Sequence, residues 1–403
     1  MKNVKFHEET KDITELILKA GEKALREMNV EQEFEYTQPV EWPINCTVGP
    51  GLEGAIACES EIGYVNGSKG LLIYRGYDIF DLCANSTFEE VAYLLMFGKM
   101  PSYKQLEKFK NKLFEYMHIP DITRFLTSFP IEEIDPMAAL QYGITLLRFK
   151  SIRGKKDYSV PSPSLLISTD DDSFPMETPA RGESHAVYEF DESTTSNEKP
   201  EVAEHRAERV ETCCHLIAGV ASVTAGISRI REKHLPLEPL PELGHAGNLI
   251  YMMTGNIPSP VQERIMDICL IIHADHGMNA STFSALVVAS TLSDMYFSIG
   301  SGIGALSGPL HGGANQKALE MLKEIGGPEN VQSWYQKACE ENIKFMGFGH
   351  RVYKTCDPRA KILGDLAGHL VEKDENMADV YRTAKTLEKE LCSPPGGQKK
   401  LFP

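Results

Sequence analysis

The 403-residue sequence has no C-x-x-C pair, no long apolar run and no excess of basic residues. Its nine cysteines are scattered, and an odd number without a secretory signal favours free thiols in a reducing compartment over a disulfide framework. The apolar runs are too short to span a bilayer, and the N-terminal MKNVKFHEETKDITEL mixes acids and bases, unlike a signal or transit peptide. A net charge of -16 disfavours nucleic acid and anionic membranes as partners. We therefore expect a globular, cytoplasmic protein.

Helical periodicity dominates the sequence, and only one region is rich in strand signals. An N-terminal extension over 1–47 carries apolar residues at helical spacing: Ile13, Leu16, Ile17, Ala20 and Ala24. The stretch GYVNGSKGLLIYRGYD alternates, and its Asn66-Gly67 pair predicts a hairpin turn. Later patterns predict helices at about 88–98, 103–117, 136–149, 203–231, 241–254, 260–273, 281–297, 312–325, 329–343, 358–372 and 376–391.

Residues 154–202 interrupt this regularity. The stretch is rich in Ser, Thr, Pro and acidic residues without a sustained period, which is typical of a disordered insertion. Serines beside prolines or acids are candidate phosphorylation sites, but a solvated spacer is the simpler interpretation.

Three segments place histidine beside glycine or acidic residues: HADHGMNAST, GPLHGGAN and MGFGHRVYKTCDPRAK. A P-loop needs Lys-Ser/Thr after its glycines, and the GSGIGA run at 300–305 lacks a strand–helix–strand setting, so a nucleotide loop is disfavoured. His273 and His276 are spaced i, i+3 without an H-E-x-x-H motif. A zinc site is therefore the weaker alternative to a helix-end role for His273.

His311 lies between Pro309 and the Gly312-Gly313 pair, just before a predicted helix. The glycines allow another group close to the backbone, and the helix N-terminus directs N–H groups and a positive dipole toward the turn. This environment suits a neutral imidazole that donates a hydrogen bond to a developing enolate oxygen. A histidine that merely packs the turn carries equal weight on this motif alone.

His350 follows a Gly-Phe-Gly turn and opens a basic cluster in an acidic protein. The cluster contains Arg351, Lys354, Arg359 and Lys361. Clustered positive charge amid net negative charge indicates a site for a small anion. Arg359, after Asp357-Pro358, is placed for a bidentate contact with a carboxylate.

Several long segments, in the same order, resemble the citrate synthase family. They are GLEGAIACESEIGYVNGSKGLLIYRGYDIFDL, FEEVAYLLMFGKMP, LIIHADHGMNASTFSALVVASTLSDMY, GALSGPLHGGANQKALEMLKEIG and MGFGHRVYKTCDPRAKIL. The resemblance implies a mainly α, multi-helical fold, with a large domain at 48–311, a small domain at 312–403 and one short β-hairpin region. It also implies a homodimer or higher homo-oligomer.

The resemblance further implies the tricarboxylic acid cycle acyltransferase reaction, in which acetyl-CoA, oxaloacetate and water give citrate and CoA without a metal or cofactor. By position, His311 corresponds to the catalytic histidine that stabilises the acetyl-CoA enol, and His350 to the one that polarises the oxaloacetate carbonyl. His276 and Arg359 correspond to oxaloacetate-binding residues. The predicted CoA-binding residues are Met346, Gly347, Phe348, Gly349 and, on weaker grounds, Lys354.

The resemblance also implies a difference at the C-terminus. The family's catalytic base is an aspartate in a segment like N-V-D that follows K-K-L-F/Y-P, whereas this sequence ends at KKLFP. We expect a truncated synthase that is inactive or nearly so. Two alternatives remain open: a 2-methylcitrate synthase that uses propionyl-CoA, and a non-catalytic partner of a complete synthase.

Overall fold

The computed structural model describes residues 6–27, 57–58, 60–153, 200–309, 311–349, 353, 355–371, 377–392 and 401. These residues form a mainly α fold, which confirms the predicted fold class. The helices are α1 (Lys11–Glu27), α2 (Ile79–Asn85), α3 (Phe88–Phe97), α4 (Tyr103–Met117), α5 (Pro120–Thr127), α6 (Pro136–Arg153), α7 (Pro200–Arg231), α8 (His245–Thr254), α9 (Pro260–Ile272), α10 (Ala280–Ser290), α11 (Met295–Leu306), α12 (Gly313–Ile325), α13 (Val331–Glu340), α14 (Pro358–Val371) and α15 (Ala378–Cys392).

Three short strands form an antiparallel sheet in the order β1-β2-β3: β1 (Gly63–Asn66), β2 (Leu71–Tyr74) and β3 (Tyr77–Asp78). In β1 and β2, Asn66 pairs with Leu71, so the predicted hairpin is confirmed. Its loop is longer than a two-residue turn. The Asn66 side chain accepts a hydrogen bond from the Lys69 N–H at 3.0 Å, and Gly70, rather than Gly67, takes the positive φ of 66°.

Side chains in the sequence set several helix ends as predicted. Thr87 and Glu90 form a capping box at the start of α3, and Gly98 ends that helix with a φ of 77°. Ser259 caps α9 in the same way, with Pro260 at its first position.

One predicted helix is wrong. The 281–297 pattern divides into α10 and α11, because Leu292 takes a φ of 63° and the Asp294 side chain accepts from the Phe297 N–H to start α11. The GSGIGA run lies inside α11, so it forms no phosphate loop. The predicted insertion over 154–202 lies outside the described residues up to 199, and 200–202 already belong to α7.

Within the described residues, four hydrophobic cores hold the helices together. The first joins α1, α2, α9, β2 and α14, and the second joins α5, α6, α7 and α11. The third joins α3, α4, α7 and α8, and the fourth joins α12, α13 and α15. Ile362 and Leu366 place α14 in the first core, although its sequence neighbours belong to the fourth. The predicted domain boundaries stay predictions.

Helix α7 contains a segment, Arg209–Arg231, that is long and apolar enough to cross a membrane by length and composition, so the prediction that the apolar runs are too short to span a bilayer is wrong for this helix. Within the protein, 61% of its apolar window is buried. The helix packs against α4, α6 and α8, so it serves as the central helix of two cores.

Candidate active site

The turn between α9 and α10 carries His276 and is anchored to the sheet. The Tyr74 hydroxyl donates to the Asp275 carbonyl at 2.8 Å and accepts from the Asp275 N–H at 3.2 Å. The Asp275 carboxylate packs so closely against Gly63 that a Cβ there would clash with it. The backbone at the turn is therefore fixed from two directions, and it presents His276 from a defined position.

The two histidines of this turn bind different partners. His273 ends α9 and is exposed, and its Nδ1 lies 2.6 Å from the Cys269 carbonyl, so Nδ1 is the donor. This confirms its predicted helix-end role. His276 Nε2 instead lies 3.1 Å from the hydroxyl of Tyr353, a buried residue. Among the residues that the structure describes, no group of three or more His, Cys, Asp or Glu side chains could hold a metal ion.

Arg359 lies at the start of α14 and is held by Asp357. Its Nε lies 3.1 Å from both carboxylate oxygens, and its Nη2 lies 2.6 Å from Oδ2. The same carboxylate accepts from the Arg359 N–H at 2.9 Å. This bidentate contact is made with a carboxylate of the chain itself, and the predicted contact with a ligand carboxylate stays a prediction. Asp357 thereby fixes the direction of the guanidinium.

The sheet brings the α9–α10 turn and the 353–359 segment together. A Cβ on Gly70 would lie 3.1 Å from Thr355 Oγ1 and 3.2 Å from the Cys356 carbonyl, so the hairpin loop packs directly on this segment. Burial raises the pKa of both Tyr74 and Tyr353, and the nearby Arg359 charge opposes part of that rise. The fold thus gathers His276 and Arg359 at one place.

His311 occupies a second position beside the start of α10. Its Nε2 lies 2.9 Å from the hydroxyl of Ser281, which is in the first turn of α10, directly after the turn that carries His276. A serine hydroxyl can donate to or accept from an imidazole nitrogen. The hydrogen bond with Ser281 therefore orients the ring and leaves Nδ1 as the second ring nitrogen.

The glycines around His311 serve the backbone of the turn. A Cβ on Gly312 would lie 2.5 Å from the Leu306 carbonyl, to which the Gly312 N–H donates at 3.0 Å. The Gly313 N–H donates to Gly308, and the Ala314 N–H donates to His311. The expectation that free N–H groups of the helix face this turn is thus wrong for these positions, because turn carbonyls already accept from them. The group that lies close to these glycines is the backbone of the chain itself.

The predicted CoA segment, Met346, Gly347, Phe348 and Gly349, lies against the fourth core. Gly347 and Gly349 have φ values of 83° and 78°, which only glycine adopts without strain. Met346 and Phe348 pack partly into that core. His350 and Lys354 lie outside the described residues, so their predicted roles stay predictions.

Sequence reasoning missed three residues of this site: Ser281, Tyr353 and Asp357. Ser281 and Tyr353 lie within the matching segments, but neither carries a charge or a spacing that marks it. Asp357 precedes Pro358 and Arg359, and its position alone does not mark it as the partner of that guanidinium. All three are hydrogen-bond partners of the predicted histidines and arginine.

Comparison with known proteins gives the class of this mainly helical protein, an acyl-CoA-condensing transferase, and identifies its family. The family model described as "Citrate synthase, C-terminal domain" matches residues 51–403. Citrate synthase from Deinococcus radiodurans is 34% identical over 357 residues, covering 88% of this chain and 81% of that protein. Citrate synthase 2 from Bacillus subtilis is 38% identical over 346 residues, covering 86% and 78%. A 2-methylcitrate synthase from Shewanella oneidensis is 30% identical over 355 residues, covering 88% and 80%. The chain belongs to the citrate synthase family.

Solved structures agree with this assignment. Citrate synthase from Pyrobaculum aerophilum has a TM-score of 0.71 at 32% identity, covering 92% of this chain and 84% of that one. The citrate synthase of Thermoplasma acidophilum, solved as a ternary complex with carboxymethyl coenzyme A and oxaloacetate, also has a TM-score of 0.71, at 26% identity, covering 89% and 82%.

Proposed function

We propose that this protein condenses acetyl-CoA with oxaloacetate and water to give citrate and CoA. The observation that carries the proposal is the convergence of His276 and Arg359, through Tyr353 and Asp357, at the contact between the hairpin and the α9–α10 turn. A similar fold binds carboxymethyl coenzyme A and oxaloacetate together, which supports the same pair of ligand types here.

Oxaloacetate is a small dianion, and the site offers it a directed cation. Arg359 has its Nε and Nη2 bound by Asp357, so its Nη1 edge is the part of the guanidinium that would meet a substrate carboxylate. His276 would contact the same substrate from the facing turn. His350 would polarise the ketone carbonyl, and this role rests on the family resemblance alone.

His311 would act on the thioester. Removing a proton from the acetyl methyl group creates negative charge on the thioester oxygen, and a hydrogen-bond donor placed there stabilises it. The Ser281 hydroxyl lies beside Nε2, so Nδ1 of His311 is the ring nitrogen that would carry the proton and meet the developing enol oxygen. The adenine of CoA would lie on Met346, Gly347, Phe348 and Gly349, and Lys354 would approach a CoA phosphate.

A homodimer is part of the proposal, and the surface of α10 and α11 supports it. None of the α10 residues is buried, although the helix is apolar. Exposed large side chains on the two helices are Phe283, Leu286, Val287, Phe297 and Leu306. A contiguous apolar face of this kind is typical of an interface, and a second copy of the chain is the proposed partner. Sedimentation of the purified chain tests it, and a monomer at micromolar concentration contradicts it. The cytoplasmic location stays a prediction.

The choice between acetyl-CoA and propionyl-CoA as substrate rests on the relatives. The relatives include proteins named citrate synthase and one named 2-methylcitrate synthase, and identity is higher to the former. We propose acetyl-CoA over propionyl-CoA on that ground. Thiol release with each acyl-CoA, with and without oxaloacetate, measures the preference. A higher kcat/KM for propionyl-CoA would favour the 2-methylcitrate synthase alternative.

The same assay tests the proposed reaction itself. The expected result is thiol release that requires both acetyl-CoA and oxaloacetate. No release with either acyl-CoA in the presence of oxaloacetate would contradict the proposal. A non-catalytic partner role predicts a different result: no change in oxaloacetate binding on substitution of Arg359, together with stable association with a complete synthase.

A further inference from the structure

The Tyr353 hydroxyl is directed at a site residue rather than at a hydrophobic core. Tyr353 is only 4% exposed, yet it belongs to none of the four cores formed by the described residues. Its hydroxyl lies 3.1 Å from His276 Nε2, and the two ring centroids are 5.5 Å apart with planes at 56°. The contact is therefore a directed hydrogen bond between two tilted rings. Because the site is buried, the hydrogen bond is electrostatically stronger than it would be in water.

We infer that Tyr353 is a positioning residue for oxaloacetate: its hydroxyl holds the imidazole of His276 in one orientation and one hydrogen-bonding state. The inference rests on the proposed function, since it takes His276 to be a ligand of oxaloacetate. Tyr353 acts through His276 and does not itself contact the substrate.

The backbone alone does not fix the His276 ring. Tyr74 and Asp275 hold the main chain of the turn. The half-buried imidazole of His276 can still rotate about its side-chain bonds, and a flip of the ring interchanges its nitrogen and carbon positions. A ligand contact requires the ring within a fraction of an ångström of its working position, which takes a second group that locks it. The Tyr353 hydroxyl supplies such a contact.

The hydrogen bond holds His276 in one hydrogen-bonding state. Burial raises the pKa of Tyr353, and the negative charge of Asp357 adds to the rise, so the phenol keeps its proton and stays a hydrogen-bonding group beside Nε2. A neutral imidazole carries its proton on one ring nitrogen, and the bond at Nε2 favours one of the two tautomers over the other. The ring therefore presents a single state to a ligand.

The same short segment also positions the second oxaloacetate ligand. Tyr353 holds His276, and Asp357, a few residues further on, holds Arg359. The 353–359 segment thereby sets the geometry of both ligands from one side, while the hairpin loop supports it at Gly70.

The first test compares Tyr353→Phe with Tyr335→Phe. Both changes remove one hydroxyl from a buried tyrosine, since Tyr335 is 5% exposed, but Tyr335 lies in the fourth core. Calorimetric titration with oxaloacetate should show a Kd about tenfold weaker for Tyr353→Phe and unchanged for Tyr335→Phe. Equal affinity of Tyr353→Phe and the wild type would overturn the inference.

The second test needs no substrate. Proteins labelled with 15N in histidine report the tautomer of each imidazole from its ring-nitrogen resonances, and His276→Gln assigns the signal. The wild type should show a single tautomer at His276, and a mixture of tautomers in the wild type would overturn the inference even if Tyr353→Phe does not fold. Because oxaloacetate is absent, the result is separate from any failure of the proposed function.

Discussion

Two arginine–aspartate pairs of this protein look alike in sequence but lie in different surroundings. Arg264 and Asp267 lie three residues apart on α9, with side chains that are 4% and 8% exposed. Arg359 and Asp357 lie two residues apart at the start of α14, with side chains that are 20% and 10% exposed. In both pairs the shortest contact is 2.6 Å.

The donors of Arg264 are directed at the protein itself. Its Nη1 binds Asp267 and the Ser86 carbonyl at 2.8 Å, its Nη2 binds the Cys83 carbonyl, and the Phe6 ring covers the guanidinium at 4.0 Å. Burial raises the pKa of Asp267 to about 7 despite the nearby arginine. This pair ties α9 to the end of α2 and has no face left for a ligand.

Arg359 differs in what remains available. Asp357 binds its Nε and Nη2, and among the described residues nothing binds its Nη1. The guanidinium is fixed, partly exposed and still able to donate. An arginine locked on one edge and open on the other suits anion binding, whereas one surrounded on all edges stabilises the fold.

Breaking the buried pair should have the largest effect. Arg264→Ala leaves Asp267 in a dry core without its cation, which should cost about 3–5 kcal/mol of unfolding free energy. Denaturant unfolding measures it. Arg382→Ala is the matched control, because Arg382 binds Asp379 at the same i, i+3 spacing and the same 2.6 Å but is 62% exposed. An equal loss of unfolding free energy in both variants would contradict the contrast between the buried and the exposed pair.

The free energy of unfolding should depend on pH through two buried groups, His245 and Asp267. His245 is 6% exposed, and burial lowers its pKa to about 4. Between pH 6.5 and 4 the unfolded chain takes up a proton there that the folded chain does not, so stability falls by about 3 kcal/mol as pH falls. Asp267 acts oppositely, because its raised pKa stabilises the fold as pH falls from 7 toward 4.

Comparing His245→Gln with the wild type isolates the histidine from the aspartate. Denaturant unfolding at pH 7 and pH 4.5 should show that the variant loses less stability on acidification than the wild type. The exposed His234→Gln serves as the control and should follow the wild type. A His245→Gln curve parallel to the wild-type curve contradicts a buried neutral histidine.

In the candidate site, Arg359→Lys keeps the positive charge near Asp357 but loses the planar guanidinium with its available Nη1 edge. We expect oxaloacetate affinity to fall roughly 10- to 100-fold, or about 1.4–2.8 kcal/mol, with little change in unfolding free energy. The shift of the thermal midpoint with added oxaloacetate measures both quantities in one series. A large loss of stability with unchanged affinity would make Arg359 a structural residue like Arg264.

The smallest effect concerns the hairpin loop. Gly70→Ala and Gly76→Ala both put a side chain at positive φ, 66° and 85°, which costs about 1–2 kcal/mol each. Only Gly70 faces Thr355 and Cys356, since a Cβ on Gly76 would meet nothing within 4 Å. Denaturant unfolding should show a loss for both variants, with the larger loss for Gly70→Ala because its Cβ also crowds Thr355 and Cys356, while titration should show weaker oxaloacetate binding for Gly70→Ala alone. Equal binding by the two variants contradicts support of the 353–359 segment by the hairpin.

Much of the fold follows from local signals in the sequence. The capping box at Thr87, the glycine end at Gly98 and the proline start at Pro260 mark helix ends because each satisfies a backbone group by itself. The break between α10 and α11 was missed, since a leucine in the left-handed region at 292 depends on how the two helices pack. The placement of α14 in the first core likewise depends on long-range contacts.

The site was predictable only in part. His276, His311 and Arg359 carry chemistry that a sequence motif reveals. Tyr353 and Ser281 act by touching those residues across 77 and 30 positions of the chain, and no local pattern encodes such contacts. The burial that distinguishes Arg264 from Arg359 is also a property of the assembled fold.

Calorimetric titration of oxaloacetate tests most directly whether His276 and Arg359 form one binding site. The wild type should bind with one site per chain, His276→Gln and Arg359→Lys should each bind at least about tenfold more weakly, and Arg382→Lys should bind as the wild type does. Absence of binding to the wild type, or wild-type affinity in either site variant, would contradict the account.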